Sequence, residues 1–490
     1  MSARDLPERP NLDQYKKQGK DLLKAWRAGA ADALARLERH PLLAAVSHTI
    51  QPSQLALSDA QLVIAREHGF ESWPRFSDEI EKREGRRRSD AIWKAAEDAI
   101  VAGDARQLEQ LMAVHEDVFR SERPRSFWNN TLSPDYGKVD PRLIIASTHA
   151  FESWDAFAAH AAAVKDVNSP VARFEAAVDA IVAGDVDTLE RLLERDPDLI
   201  RARSLRSHHS MLLHYIGANG IEGFRQHTPN NAVQIAEALL AAGADVDARA
   251  DMYGGSTTLG LVATSLHPKR AGVQGALMGL LMLHEARSDA GAGEGDVALV
   301  IGCLANGRGE AARFLAERGA PLDLEAAAGV GRLDLVASFF NEDGSLKPPA
   351  TPDQMRDGFT WACEFGQTSV VEFLLDRGMD INARLPRHHG QTGLHWAAYG
   401  GCGETVTLLL RRGASVDAKD ERWGGTPLGW ALHGLDEETL ELREPHYDAV
   451  ALLVDAGSAV RPEWLEEENV KTDERLLTIL RRGRDGFDAT

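Results

Sequence analysis

A stretch of thirteen residues occurs twice, 81 residues apart. Residues 64–76 read IAREHGFESWPRF and residues 145–157 read IASTHAFESWDAF, with the His, the Phe-Glu-Ser-Trp and the final Phe in register. The same spacing joins AIVAGD at 99–104 to AIVAGD at 180–185, and a weaker third copy, AGAADALARLERHP at 28–41, matches AGDVDTLERLLERDP at 183–197. Echoes that share one offset point to duplicated units, and internal repetition restricts the possible architecture more than composition does. The front of the chain is expected to hold two related helical units, 1–90 and 91–170.

Both units read as helix. Leu34, Leu37, Leu42 and Leu43 recur closely, and Leu189, Leu192 and Leu193 at i, i+3 and i+4 place an apolar stripe on one face. Gly29, Gly103 and Gly184 sit between helical stretches, where a turn needs positive φ. Trp73-Pro74 marks a helix start, since proline is tolerated in a first turn and not in an interior. The basic run Lys82-Arg83 with Arg86-Arg87-Arg88 reads as a solvated linker between the units.

From about residue 171 a different pattern accumulates. Residues 390–418 read GQTGLHWAAYGGCGETVTLLLRRGASVDA. Apolar residues recur at helical spacing through Leu394, Trp396, Ala397 and Ala398, and Gly400, Gly401 and Gly403 break that helix. A second amphipathic run, Val406 to Leu410, stops at Gly413 in the place of a C-cap glycine. The polar stretch Val416 to Asp420 then reaches as a hairpin to the next opening, Gly425-Thr426-Pro427-Leu428-Gly429-Trp430-Ala431. Second helices with a closing glycine recur at 370–383, 311–323 and 236–248, with 332–340 more degenerate; 212–220 and 257–265 read as first helices.

These residues resemble the ankyrin repeat, a unit of about 33 residues with a turn, two antiparallel helices and a Thr-Pro-Leu-His opening. The resemblance covers roughly 171–460, and the whole chain, FESW units included, is similar to bacterial ankyrin-containing proteins. It implies an all-α solenoid of seven or eight repeats over 171–462, with a capping helix and tail at 463–490. The charged stretch 463–481 suits that cap. Three stretches depart from the pattern: 266–294 is long, 341–357 carries Pro348, Pro349 and Pro352, and 433–446 is an acidic insertion.

Composition narrows the function. The net charge of −20 repels phosphate backbones, so nucleic acid is not an expected partner, and no membrane partner is expected. Cys303, Cys363 and Cys402 lie far apart with no CxxC, which suits a reducing compartment. The polar opening Met1-Ser2-Ala3-Arg4-Asp5 has no apolar continuation, and no window approaches a membrane span, so a cytoplasmic location is expected. No nucleophile or nucleotide motif survives its context test, and no cofactor is implied. The expected function is that of a scaffold binding a protein or peptide partner, not that of an enzyme.

By the resemblance, the finger tips and the residues after the Ala-Ala of each first helix line the concave face. Carried onto this sequence they are Tyr253, Thr264, Glu364, Phe365, His388, His389, Gln391, Tyr399, Arg422, Trp423 and His433. Aromatic and arginine side chains dominate binding hot spots, so the set reads as an interface. An exposed Trp at a finger tip has few structural reasons to exist. Trp396 and Trp430 occupy equivalent positions and read as core or groove packing. The alternative is a metal or catalytic site on the histidine groups His208, His209 and His214, or His388, His389 and His395. Against it, adjacent tip histidines point to opposite sides, and by the resemblance His214 and His395 have a structural role between neighbouring loops. The purified protein is therefore expected to carry no stoichiometric transition metal. About one equivalent of zinc, lost on His209→Ala or His389→Ala, would contradict this.

Overall fold

The computed structural model describes residues 6–7, 10–38, 56–70, 72–115, 118–119, 140–217, 222–287, 299–385, 389–437 and 443–487. The chain divides into two compact units, 1–148 and 149–490.

In the first unit, helices Leu12–Arg27, Ala31–Glu38 and Leu57–Glu67 and the start of Trp73–Val101 enclose Leu12, Tyr15, Leu22, Trp26, Ile64, Phe76 and Ile80. The Trp26 indole, fully buried, donates to the Ala33 carbonyl at 2.6 Å, so the largest core side chain has its polar atom satisfied. Arg36 grips Glu67 in a two-pronged ion pair at 2.8 and 2.7 Å, fixing the second helix to the third. The basic run expected to be a linker lies inside one 29-residue helix, Trp73–Val101. That helix passes residue 90, the expected border, without a break. Strong helix formers such as Lys, Arg and Glu, with no Pro after the first turn, keep it going.

The two FESW stretches hold the same local geometry. Ser72 and Ser153 each cap a helix by accepting from the backbone N–H three residues on. Trp73–Phe76 and Trp154–Phe157 both place their ring centroids 5.4 Å apart at 45°. His68 and His149 lie against the same phenylalanines at 5.5 and 4.9 Å. In the second unit helix Trp154–Lys165 ends and a new one starts at Pro170 behind the Ser169 cap.

Helix pairs follow from there, and eight can be traced among the described residues. They are Pro170–Ala183 with Val186–Arg195; the 3-10 turn Leu212–Gly217 with Ala232–Ala241; Thr258–Thr264 with Gln274–Leu283; and Leu299–Ala305 with Gly309–Glu317. Then come Leu324–Gly329 with Leu333–Ser338, Pro352–Glu364 with Thr368–Asp376, Gly393–Tyr399 with Gly403–Arg411, and Pro427–Glu437 with Glu444–Asp455. The segment read as the first helix 212–220 is thus a 3-10 turn. The long stretch 266–294 holds the short helix Leu266–Arg270 and the second helix of the third pair. The capping stretch is not one helix: Pro462–Glu466 is 3-10, and Glu468–Thr472 and Glu474–Phe487 meet at Asp473, which caps the latter by accepting from Leu476.

The connections between pairs form short fingers. One is a two-stranded hairpin, Arg249 opposite Thr257 and Ala250 opposite Ser256; two others close on single bridges, Phe340–Leu346 and Leu385–Gln391. Three fingers are tied to the next by the same device. Asp247, Asn382 and Asp417 accept from the backbone N–H of Arg287, Ser415 and Ala459, at 3.0, 2.9 and 3.1 Å. Arg203 donates to the His209 and Arg249 carbonyls, and Arg384 in the same way to Gly390 and Lys419, so each guanidinium spans two fingers.

The two histidines assigned a structural role have one. His395 is fully buried, with Nδ1 at 3.0 Å from the Thr392 N–H and Nε2 at 3.2 Å from the Gly425 carbonyl. His214 repeats this with Met211 and the Ala248 carbonyl at 3.1 and 2.9 Å. In each case one ring accepts from its own turn and donates to the next finger. Removing it strands buried backbone groups, which costs about 1–3 kcal/mol. His395→Ala is therefore expected to destabilise by about 2 kcal/mol and Asn382→Ala, whose bond is exposed, by less than half as much. Chemical denaturation of both variants checks the order.

Candidate interaction surface

The seventh and eighth pairs bring most of the expected aromatic residues together. Asp420 organises the tip. Its carboxylate, buried, accepts from the backbone N–H groups of Arg422, Trp423 and Gly425 at 2.9, 2.7 and 2.7 Å, and from the Trp430 indole at 3.2 Å. Burial alone would raise its pKa, but these donors hold it below the usual carboxylate value. The turn so fixed projects Trp423, 61% exposed, away from the protein.

Around it the rings form a continuous chain of edge-to-face and tilted contacts. Trp423 lies 5.9 Å from His389 and 5.8 Å from Trp430; Trp430 lies 5.5 Å from Trp396 and 5.9 Å from Tyr399; Tyr399 lies 5.9 Å from His433. The Arg422 guanidinium stacks 4.8 Å from the Trp423 ring and donates to His389 Nε2 at 2.9 Å. His389 sits at the neighbouring tip with φ of 52°. Trp396 and Trp430 are half-buried and support this chain from beneath, which fits groove packing.

The other expected positions are placed differently. Tyr253, 68% exposed at φ 48°, stands at the tip of the earlier hairpin. Thr264 and Phe365 are half-buried: the Thr264 hydroxyl donates to Gly260 at 2.8 Å within its own helix, and the Phe365 ring packs over Gly309. Gln391 and Glu364 are buried, 1% and 8% exposed, so neither side chain can meet a partner on the surface. Glu364 is covered by the close approach of the next pair, where its carbonyl accepts from the Cys402 thiol at 3.2 Å, and Gln391 sits in the bridge to Leu385 that closes its finger. His388 lies outside the described residues.

The first histidine group does not converge. Buried His208 faces Glu222 at 2.8 Å, whereas exposed His209 faces Asp251 at 2.8 Å, on the opposite side. Among the described residues no group of three or more His, Cys, Asp or Glu is arranged to hold a metal.

His208 instead belongs to a buried charge cluster that sequence reasoning missed. Arg206 contacts Glu175 at 2.9 Å and Glu222 at 3.4 Å; Arg225 joins both carboxylates, at 2.8 Å on Glu175; Tyr215 donates to Glu222 at 2.8 Å. Phe151 and Phe224 lie under the Arg206 guanidinium at 5.2 and 5.6 Å. Burial would raise Glu222, yet His208, Arg225 and Arg206 draw it down to about 2. The cluster locks helix Trp154–Lys165 and the first finger onto the first pair.

A cleft of about 760 Å³ lies among the second helices, lined by Thr368, Glu372, Glu404, Arg411, Glu444 and Asp448. Its carboxylates are largely committed: Glu372 pairs with Arg412, and Glu444 and Asp448 with Arg475.

Helix pairs bridged by fingers, with aromatic residues gathered at the tips, define the class of helical-repeat solenoids. Residues 324–420 and 359–462 match a family model described as Ankyrin repeats, and the chain carries ankyrin repeats over this region. The chain is similar to palmitoyltransferase Hip14 of Drosophila melanogaster, 33% identical over 113 residues, 23% of this chain and 16% of that protein. It is similar to the mouse B-cell lymphoma 3 protein homolog, 36% over 83 residues, 16% and 18% of the two chains. Chicken inversin is 39% identical over 77 residues, 15% and 7%. The matches span less than a fifth of each of these relatives.

Burial pushes the Glu364 carboxyl up to about 8, and its Oε2 has no hydrogen-bond partner among the described residues. The folded protein keeps this proton until about pH 8, whereas the unfolded chain loses it near 4.5. Between those values the folded state binds more protons, so stability falls as pH rises. Glu364→Gln is expected to raise the thermal midpoint at pH 8 and to flatten its decline between pH 5 and about pH 8. An unchanged pH profile would refute the burial argument.

Proposed function

We propose that the chain is a protein-binding scaffold whose partner, a protein or peptide, docks on the concave face lined by the last finger tips and first helices. The observation that supports this best is Trp423. A tryptophan 61% exposed, backed by Arg422 and held on a turn fixed by a buried carboxylate, contributes little to the fold and much to a contact surface. His389, Tyr399, Arg422, Trp423 and His433 form the centre of the proposed interface, and Tyr253 an outlying contact. Phe365 and Thr264 border it; His388 stays in the proposed set on the resemblance alone.

Ankyrin repeats generally mediate protein–protein interaction, and the ligase, kinase and transferase activities among the relatives belong to those whole proteins. Indifference to nucleic acid accords with the charge of −20, a cytoplasmic setting with the three scattered cysteines, and a bacterial source rests on the resemblance alone. No described helix is long and apolar enough to cross a membrane. The division into modules at 90, 170 and 462 is kept as a proposal about how the chain was assembled.

Truncating a central aromatic anchor costs about 2 kcal/mol or more of binding energy. A surface substitution without a structural role stays within about 0.5 kcal/mol in stability. Trp423→Ala should therefore weaken capture of native partners at least tenfold, with a nearly unchanged thermal midpoint. Capture at full strength would place the interface elsewhere, and a large fall in midpoint would make Trp423 a folding residue.

A further inference from the structure

The turn 419–424 that carries Trp423 is bracketed by cations. The Arg384 guanidinium donates to the Lys419 carbonyl at its start, and the Arg461 guanidinium to the Gly424 carbonyl at its end, at 3.1 Å. Arg422 stands between them, against His389 and the Trp423 ring. Arg384, Lys419, Arg422 and Arg461 are all exposed, and none pairs with a carboxylate among the described residues. Elsewhere in the array exposed arginines do find carboxylates: Arg412 pairs with Glu372 and Asp376, and Arg475 with Glu444 and Asp448. Of the two carboxylates in the turn, Asp420 is buried on its four donors, which leaves Glu421 at the surface. In a chain of net charge −20 this is a local excess of positive charge.

The hydrogen-bonding groups of the tip are one-sided as well. A guanidinium only donates, so His389 Nε2 accepts from Arg422 and the neutral ring carries its proton on Nδ1, a further donor. The Trp423 indole N–H meets no acceptor among the described residues, and the Lys419 and Arg422 side chains have none to offer. An occupant that completes this surface brings acceptors and negative charge together. A carboxylate brings both, and a planar guanidinium presents paired N–H groups that match its two oxygens. The net charge opposes the approach of an acidic segment from afar. Exposed charges are screened beyond about 8–10 Å at physiological ionic strength, so the cations around the turn decide the contact itself.

We propose that the finger-tip face takes an acidic peptide segment, its carboxylates on Arg422 and Lys419 and its chain across the Trp423 ring. The chemistry so assigned to the partner rests on that face being the docking surface.

The test uses the full chain and the anisotropy of a labelled oligoglutamate peptide, with oligolysine and single-stranded oligothymidylate of equal length as comparisons. Oligoglutamate should bind, and Arg422→Glu with Lys419→Glu should weaken it about tenfold or more. The turn is fixed through the Arg422 backbone N–H, so the thermal midpoint should hardly move. Arg422→Gln, which keeps that N–H, should weaken binding in the same direction. Added salt should loosen the complex, because it screens opposite charges in contact. Binding that tightens with salt, a preference for oligolysine, equal binding of the oligothymidylate, or no binding of oligoglutamate would each overturn the proposal. Trp423→Ala separates this proposal from the reading beneath it. Native capture lost in Trp423→Ala but unmoved by the charge-reversed pair keeps the face and refutes the acidic partner. Capture unmoved by either change refutes the face, and the proposal with it.

Discussion

A side-chain hydrogen bond that recurs at three junctions between fingers holds neighbouring helix pairs in register. Asp247, Asn382 and Asp417 each reach across to a backbone N–H of the following unit, and His214 and His395 donate to a carbonyl of the following finger. A single helix pair cannot bury its apolar face, so its stability comes from its neighbours. Hydrophobic burial supplies the energy but is indifferent to a small slide between pairs. These directional bonds, anchored in buried backbone groups that would otherwise be unsatisfied, set the spacing and angle at which successive pairs meet. The cores reflect that coupling: one cluster runs from Phe174 to Trp361, the next from Leu324 to Leu480.

The same coupling makes a surface out of parts that no repeat owns. Tyr399 comes from the seventh pair and Trp430 and His433 from the eighth, while His389 and Trp423 sit on successive fingers. Their contacts exist because the pairs are held at fixed separation. At the start of the array a different device serves. Two arginines and two glutamates, nearly dry, join the first finger and the turn Gly223–Arg225 to the first pair, and His160 of the FESW helix lies 3.6 Å from Glu175. Buried ion pairs return little net stability for their desolvation, but a displaced partner would leave a bare charge behind, so such a cluster tolerates one arrangement.

Much of this was legible in the sequence, for reasons that differ by element. The helix pairs were, because Leu-rich stripes ending in glycine encode a helix and its stop within ten residues, as in Val406 to Gly413. The structural histidines and the exposed Trp423 were, because position in a repeat predicts environment. Glu364 was misplaced because the same positional rule cannot sense how closely two first helices approach, where Gly400 would set a Cβ 2.0 Å from the Glu364 carbonyl, and Gln391 because it is taken up in the bridge that closes its finger. The basic run was misplaced because a charge-dense segment reads alike as linker or as exposed helix. The charge cluster was hidden because its members, residues 175, 206, 208, 222 and 225, meet only through tertiary packing.

The central claim is that the finger-tip face, and not the second-helix face, meets the partner. A photo-reactive amino acid placed at Tyr399 reports on the first face, and one at Thr407, which lines the cleft among the second helices, reports on the other. Irradiated in native extract, the Tyr399 probe should yield a discrete protein adduct that Trp423→Ala abolishes, while the Thr407 probe yields none. A discrete adduct from Thr407 alone would contradict the account.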